Sequence, residues 1–372
     1  MKDKKSNSNT NTVSKSNDKD GISNLSYSSQ RIKNFRENYS DTELQSYLLE
    51  NVSRTFALTI PELPDPLIRV VSNAYLLCRI VDTVEDEPNL TLSQKENFCS
   101  RFIDVVSGTE DPVQFSRDLA PYLSNETLET EKELILLTDR VINITHQFNE
   151  RQQKAMERCI RIMADGMAFF QQQGSKHGLR NLQDVNKYCY YVAGVVGEML
   201  TELFCIYSPA INENHDELMD LAVSFGQGLQ MTNILKDVWE DYDRSACWLP
   251  RNYFENDLAN LEQGKSTEDF KEGIDELIGV THGHLQDAMS YILLIPAEEK
   301  GIRRFCYWAV GMAILTIKKI HKNLEYTNGD EVKISRKSVK ATILFTNITV
   351  GSNRLLKLLF DATRWGLPDP RK

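Results

Sequence analysis

An all-α fold, a single domain of about ten helices, is what this 372-residue sequence predicts. Three observations lead there. Apolar residues recur at helical spacing through long stretches, strand-like alternation is scarce, and clusters of Pro, Gly and Asn fall between the stretches.

The elements follow in order. Residues 1–28 are rich in Ser, Asn, Lys and Asp and nearly free of apolar side chains, so ordering them would bury nothing. They are predicted to be a disordered polar tail ahead of a domain spanning 29–372, and they lack the apolar run of a signal peptide. Helical periodicity then covers 34–50, and resumes at 65–86 after the punctuation from Pro61 to Pro66. Pro88-Asn89 precedes 91–106, and Gly108 to Pro112 separates that stretch from 126–173. Gly174 to Gly178 leads into 180–207, and Pro209 to Asn214 into 215–243. Beyond Pro250 come 267–294, 298–326 after Pro296, and 335–362 after Asn328-Gly329. No internal repeat or linker points to a second domain. A helical assembly of this size encloses a central cavity between its members. Gly194-Val195-Val196-Gly197 either lets two helices approach closely or leaves space beside a ligand.

Composition narrows the function. A 41% hydrophobic fraction fills a sizeable core, while a net charge of −10 without a basic stripe excludes nucleic acid as a partner. An acidic chain that handles an anionic substrate needs bound cations or a local cluster of Arg and Lys. Seven scattered cysteines, with no C-x-x-C pair, argue against a zinc knuckle or disulfide framework and for a reducing cytosol. With no run of about 18 apolar residues, no transmembrane anchor is expected, although peripheral membrane contact stays open. The protein is expected to be a cytoplasmic monomer.

Acidic residues at i, i+3 and i+4 share one side of a helix. Four such triplets occur where about one is expected by chance from 53 acidic positions in 372. Glu213/Asp216/Glu217 follows Pro209 and Asn212 and suits a first helical turn. Glu272/Asp275/Glu276 lies among Glu268, Asp269 and Lys271 and suits a solvated face. The remaining two, Asp82/Glu85/Asp86 and Asp237/Glu240/Asp241, lie in apolar runs. Gln230 and Asn233 fall with the second within an arc of about 100° on a helical wheel. An oxygen-only stripe flanked by Leu229, Ile234, Leu235, Val238 and Trp239 is a poor core but suits a hard cation such as Mg²⁺. Around the first cluster the run Ala74 to Val81 makes burial expected, and Arg79 is either a salt-bridge partner or a diphosphate ligand.

Taken together, these segments resemble the squalene and phytoene synthase family, the head-to-head prenyl transferases. Ser53-Arg54-Thr55-Phe56 is similar to that family's Ser-Arg-x-Phe segment, and Tyr75-x3-Arg79-x2-Asp82-x2-Glu85-Asp86 resembles its first aspartate-rich helix. Tyr188 to Gly197 resembles its Tyr-rich segment, and Gln230-x2-Asn233-Ile234-x2-Asp237-x2-Glu240-Asp241, ending at Trp248-Leu249-Pro250, its second aspartate-rich helix. Arg304 to Ile314 and the basic stretch Val332 to Lys337 resemble the squalene synthase branch. Two departures stand out: Lys236 replaces the usual Arg, and Arg244 lies two positions early, with Ala246 in the usual place.

The resemblance implies an isoprenoid synthase-type bundle that condenses two farnesyl diphosphates through presqualene diphosphate, followed by NADPH-dependent reduction to squalene. It implies Mg²⁺ held by Asp82, Glu85, Asp86, Asp237, Glu240 and Asp241, and diphosphate contacts from Arg54, Arg79, Gln230, Asn233, Lys236 and Arg244. It further implies proton handling by Tyr188, cation stabilisation by Phe56 and Phe305, and nicotinamide phosphate contacts from Lys333, Arg336 and Lys337. No G-x-G-x-x-G follows a strand, so that cofactor site is not a Rossmann one. The apolar runs Met163 to Phe170 and Val192 to Phe204 are candidates for prenyl-tunnel walls or plain helix core. The alternatives are a phytoene or dehydrosqualene synthase that stops before reduction, a class I terpene cyclase, and a non-catalytic assembly factor. The near-duplicate clusters argue against a cyclase, and the retention of all six carboxylates argues against an assembly factor.

Overall fold

The computed structural model describes residues 30–53, 55–171, 175–263 and 267–371. They fall into two units, Met1–Ser40, in which residues 30–38 are helical, and Asp41–Lys372. Among the described residues there is no β-strand, and an isolated bridge joins Leu179 to Pro250. The all-α expectation holds.

The helices of the second unit that frame the cleft and the surfaces discussed below begin with α1 (Asp41–Val52), α2 (Asp65–Asp86), α3 (Leu92–Ser107) and α4 (Glu150–Gln171). They are followed by α5 (Leu182–Cys189), α6 (Val195–Tyr207), α7 (His215–Lys236) and α8 (Val238–Asp243). The last four are α9 (Glu268–Leu294), α10 (Lys300–Lys322), α11 (Arg336–Thr349) and α12 (Asn353–Arg364). Local chemistry sets several boundaries. A capping box between Thr91 and Gln94 starts α3, and Gly108, at φ 81°, ends it.

The long periodic stretches are more broken than periodicity alone predicts. The 126–173 stretch divides into Glu129–Leu136, Thr138–Thr145 and α4, because Asn149 and Gln152 bond to each other's backbone amides at 3.0 and 3.1 Å and cap a fresh helix. The 180–207 stretch passes through a π-turn at Tyr190–Gly194. The 335–362 stretch divides at Ser352, whose hydroxyl caps α12 by accepting the Leu355 amide.

Helix α7 packs against α6, α9 and α10, while α4 packs against α2, α3 and α6. The α6–α7 approach explains the glycines. A Cβ on Gly197 would stand 2.3 Å from the Ala222 carbonyl oxygen, and one on Gly226 would stand 2.3 Å from that of Ala193. Gly197 therefore serves helix packing. Leu182–Tyr207 corrects the expectation that no stretch could span a membrane: it is long and apolar enough by length and composition. In this fold its helices pack against α4 and α7, as a core helix does.

Candidate active site

Each acidic cluster sits where a helix ends. Helix α2 stops at Asp86, so Glu85 and Asp86 occupy its last turn and Asp82 lies one turn behind Asp86. Helix α7 stops at Lys236, and Asp237, at φ −101° and ψ 17°, joins it to α8. The second cluster therefore straddles a helix junction and does not lie on one continuous helix as expected. The Asp237 amide still donates to Asn233 at 2.8 Å, and that of Asp241 to Asp237 at 2.9 Å, so the wheel relation is nearly preserved.

The two ends meet. A cleft of about 490 Å³ is lined by Glu85, Asp86 and Lys95 from the first side and by Gln230, Asn233, Asp237, Asp241 and Arg244 from the second. Tyr188 and Trp248 lie between them, their rings stacked 4.1 Å apart at 4°. The π-turn begins two residues after Tyr188, the kind of helix irregularity that recurs at functional sites. Ser245, at φ 64°, makes the left-handed turn that carries the chain from Arg244 to Trp248.

Asp82 lies one turn deeper, outside the cleft lining. Its Oδ2 is 3.7 Å from Arg79 Nη1, while Arg79 Nη2 bonds to Glu131. Arg79 thus adopts the salt-bridge alternative, and Glu131, from the short helix Glu129–Leu136, is a partner that sequence reasoning missed. Lys95 was missed too: its ammonium donates to the Glu85 carbonyl at the cleft edge. Lys236 turns to Asp237 Oδ2 at 2.9 Å and is not part of the cleft lining.

Glu240 departs from its expected place. Its Oε1 accepts the Gly329 amide at 2.7 Å, and its Oε2 is buried without a hydrogen-bond partner. On a helical wheel Glu240 and Asp241 are about 100° apart, so one faces the cleft while the other faces the 323–329 loop. That loop clamps the junction. The Trp239 indole donates to the Tyr326 carbonyl at 2.7 Å, and the buried Tyr326 hydroxyl donates to the Leu235 carbonyl. A Cβ on Gly329 would come within 3.1 Å of both Asp237 Oδ1 and Glu240 Oε1.

The electrostatics follow from gathering like charges in a partly desolvated place. Burial pushes the Asp82 carboxyl up to about 7; Arg79 opposes this, and Asp86 and Glu131 add to it. Asp241 also rises to about 7, through burial and then Asp237, against the pull of Arg244. Asp86 and Asp237 are raised in the same sense, burial being the largest cause for each. The Tyr188 phenol is held well above its ordinary range by burial and by Glu85, Asp241 and Asp86, so it stays protonated. A surplus of carboxylates on opposed walls is a place that a divalent cation would relieve. Among the described residues no three His, Cys, Asp or Glu side chains converge on one ion. The donor set fits Mg²⁺, which keeps waters and takes part of its coordination from substrate phosphates.

The remaining expected residues lie elsewhere. Phe56 packs on Tyr75 at 5.1 Å, and Phe305 is buried edge-on to Phe204 at 6.1 Å; neither lines the acidic cleft. Lys333 pairs with Asp330 at 3.2 Å, and Arg336 and Lys337 are exposed on the first turn of α11. Lys333 follows Gly329 by four residues, which holds it within roughly 14 Å of the second cluster's partner loop. Arg54 lies outside the described residues.

A family model described as squalene/phytoene synthase matches residues 49–338. The chain belongs to that family. Among members of the squalene/phytoene synthase family, squalene synthase ERG9 of Candida albicans is 28% identical over 321 residues, covering 83% of this chain and 68% of that protein. Squalene synthase ERG9 of Gibberella zeae is 30% identical over 302 residues, covering 77% of this chain and 62% of that one. A solved complex of TcSQS with the ligand BPH1237 shares the fold, with a TM-score of 0.67 at 22% identity over 88% of this chain and 93% of that one.

Proposed function

We propose that this chain condenses two farnesyl diphosphates head-to-head to presqualene diphosphate, and then reduces that intermediate to squalene. The observation that carries the proposal is the meeting of Asp86 with Asp237 and Asp241 in one cleft beside Tyr188, Lys95 and Arg244. The likeness to squalene synthases and the basic stretch from Lys333 to Lys337 favour the reductive branch.

In this reading Asp86, Asp237 and Asp241 would hold Mg²⁺ in the cleft, with Asp82 one turn behind them, Glu85 at the rim and Glu240 acting as a clamp on Gly329. When bound, Mg²⁺ supplies charge neutralisation of the departing diphosphate. Lys95 and Arg244 present cationic groups to the same anion, while Gln230 and Asn233 orient it through their amides. The double bond of the second farnesyl chain attacks the allylic carbon, and loss of a proton closes the cyclopropane. Tyr188, in the lining of the same cleft, is the residue assigned to handle that proton. Its protonated phenol suits relaying a proton to the leaving diphosphate better than acting as a free base. Phe305 and Phe204 lie in the apolar interior, where water that would capture a carbocation is excluded. When bound, NADPH supplies the hydride that ends the second half-reaction. The exposed cations Arg336 and Lys337, with Lys333, would hold its phosphates. The seven buried free thiols support a reducing compartment.

Incubation with labelled farnesyl diphosphate and Mg²⁺ tests the proposal. Presqualene diphosphate should accumulate without NADPH and convert to squalene with it. Dehydrosqualene as the end product in the presence of NADPH would replace the reductive reading, and no release of diphosphate would end the catalytic one.

A further inference from the structure

Beyond the first turn of α11, the last two helices carry a surface that the reaction does not use. Helices α11 and α12 form a hairpin pinned from inside the fold. The buried Arg303 guanidinium donates to the Val350 carbonyl at 2.9 Å and to the Asn353 side chain, and Thr346, Leu356 and Phe360 are buried on the inner faces. The outward faces are apolar. Leu344, Phe345 and Ile348 on α11 are 58, 51 and 67% exposed, Leu355 and Leu358 on α12 are 46 and 64% exposed, and Trp365 just beyond is 83% exposed. Leu344 and Ile348 are four apart, and Leu355, Leu358, Ala362 and Trp365 follow the 3-4-3 spacing of one helical stripe. An apolar groove of about 380 Å³ runs between the hairpin and α10, bordered by Gly311, Thr342, Phe345 and Leu359. Single exposed apolar residues are ordinary, but a row of six on adjoining helices is not.

Charge selects the occupant. Residues 338–364 carry four basic side chains and one acidic one, Asp361, within a chain whose net charge is −10. Asp361 is already paired with Arg364 at 2.8 Å. On the wheel Lys340 shares the outward face of α11 with Leu344 and Ile348. Arg354 and Lys357 are exposed at the start of α12 beside Leu355 and Leu358. Basic side chains beside an apolar stripe, with an indole at its end, have the chemistry of a helix that lies in a lipid interface. We propose that the outward face of the α11–α12 hairpin docks on the surface of an anionic lipid bilayer. The apolar stripe enters the acyl boundary and the cations meet the headgroups. This inference does not depend on the reaction assigned to the cleft.

The test uses the full chain with vesicles of phosphatidylcholine alone or with roughly a third phosphatidylserine. Wild-type protein should co-sediment with the anionic vesicles and be released as salt is raised. Ile348→Glu with Leu358→Glu should weaken partitioning at least about tenfold, since two apolar anchors are lost. Lys340→Glu with Lys357→Glu should weaken binding to the anionic vesicles by about the same factor. Trp365 gives a readout that needs no disruptive change. Its fluorescence should shift to the blue with anionic vesicles, and the shift should vanish in Trp365→Phe. Failure of wild-type protein to bind, or equal binding by all variants, would overturn the proposal. So would self-association in sedimentation velocity that Ile348→Glu with Leu358→Glu abolishes while vesicle binding is absent, because the occupant would then be a second copy.

Discussion

Replacing Asp241 by Asn should stabilise the metal-free protein at alkaline pH while it removes Mg²⁺-dependent turnover. Burial and Asp237 raise the Asp241 carboxyl from 3.8 to about 7. A carboxyl whose folded-state value is raised keeps its proton longer in the folded protein. Its contribution to stability is thus present below the ordinary range and is lost as pH rises through about 7. Without screening, a rise of about three pH units corresponds to roughly 4 kcal/mol at pH 8. Asp241 is partly exposed to cleft water, so a contribution of about 1–2 kcal/mol is the appropriate scale after solvent screening. Asn has no charge to desolvate and should recover that amount at pH 8. At pH 5 the folded group is protonated and the difference should narrow to less than half of its value at pH 8, closing only below the ordinary carboxylate range. Thermal or urea unfolding at the two pH values, with EDTA or Mg²⁺, reads this directly. Mg²⁺ should stabilise the wild type at pH 8 more than the variant. If the variant is no more stable than wild type at pH 8 in EDTA, or gains as much at pH 5, the carboxyl is not strained by its surroundings.

Three further substitutions separate the clamp, the phenol and the packing. Glu240→Ala removes the acceptor of the Gly329 amide and should lower stability by about 1–2 kcal/mol in urea unfolding, because a buried donor loses its charged partner. Tyr188→Phe keeps the stack on Trp248 and should leave the melting temperature unchanged. Turnover to presqualene diphosphate should nevertheless fall by about a hundredfold if the phenol relays the proton, and undiminished turnover would remove it from that role. Gly197→Ala drives a methyl group against the Ala222 carbonyl and should cost at least about 2 kcal/mol; a neutral effect would show that α6 and α7 separate easily.

The sequence by itself determined the helical class, because apolar spacing over three and four residues is a local property that any helix displays. It also marked Asp82 to Asp86 and Asp237 to Asp241 as unusual, since carboxylates embedded in apolar runs need partners. Tertiary structure decided which of them face each other. Three acidic residues at i, i+3 and i+4 share a side of the helix yet span about 100° of it, which is why Asp241 reaches the cleft and Glu240 reaches Gly329. Arg79 could not be assigned from spacing, because Glu131, which shares its guanidinium with Asp82, lies in another helix. Lys95 was silent for a similar reason: its ammonium reaches a backbone carbonyl, and backbone carbonyls leave no mark in a sequence. The break at Asp237 was hidden as well, since the loop that clamps it comes from the far side of α10. Periodicity reports what one helix does with its own neighbours. The meeting of two helix ends is set by packing between segments far apart in the chain, and that was visible only in three dimensions.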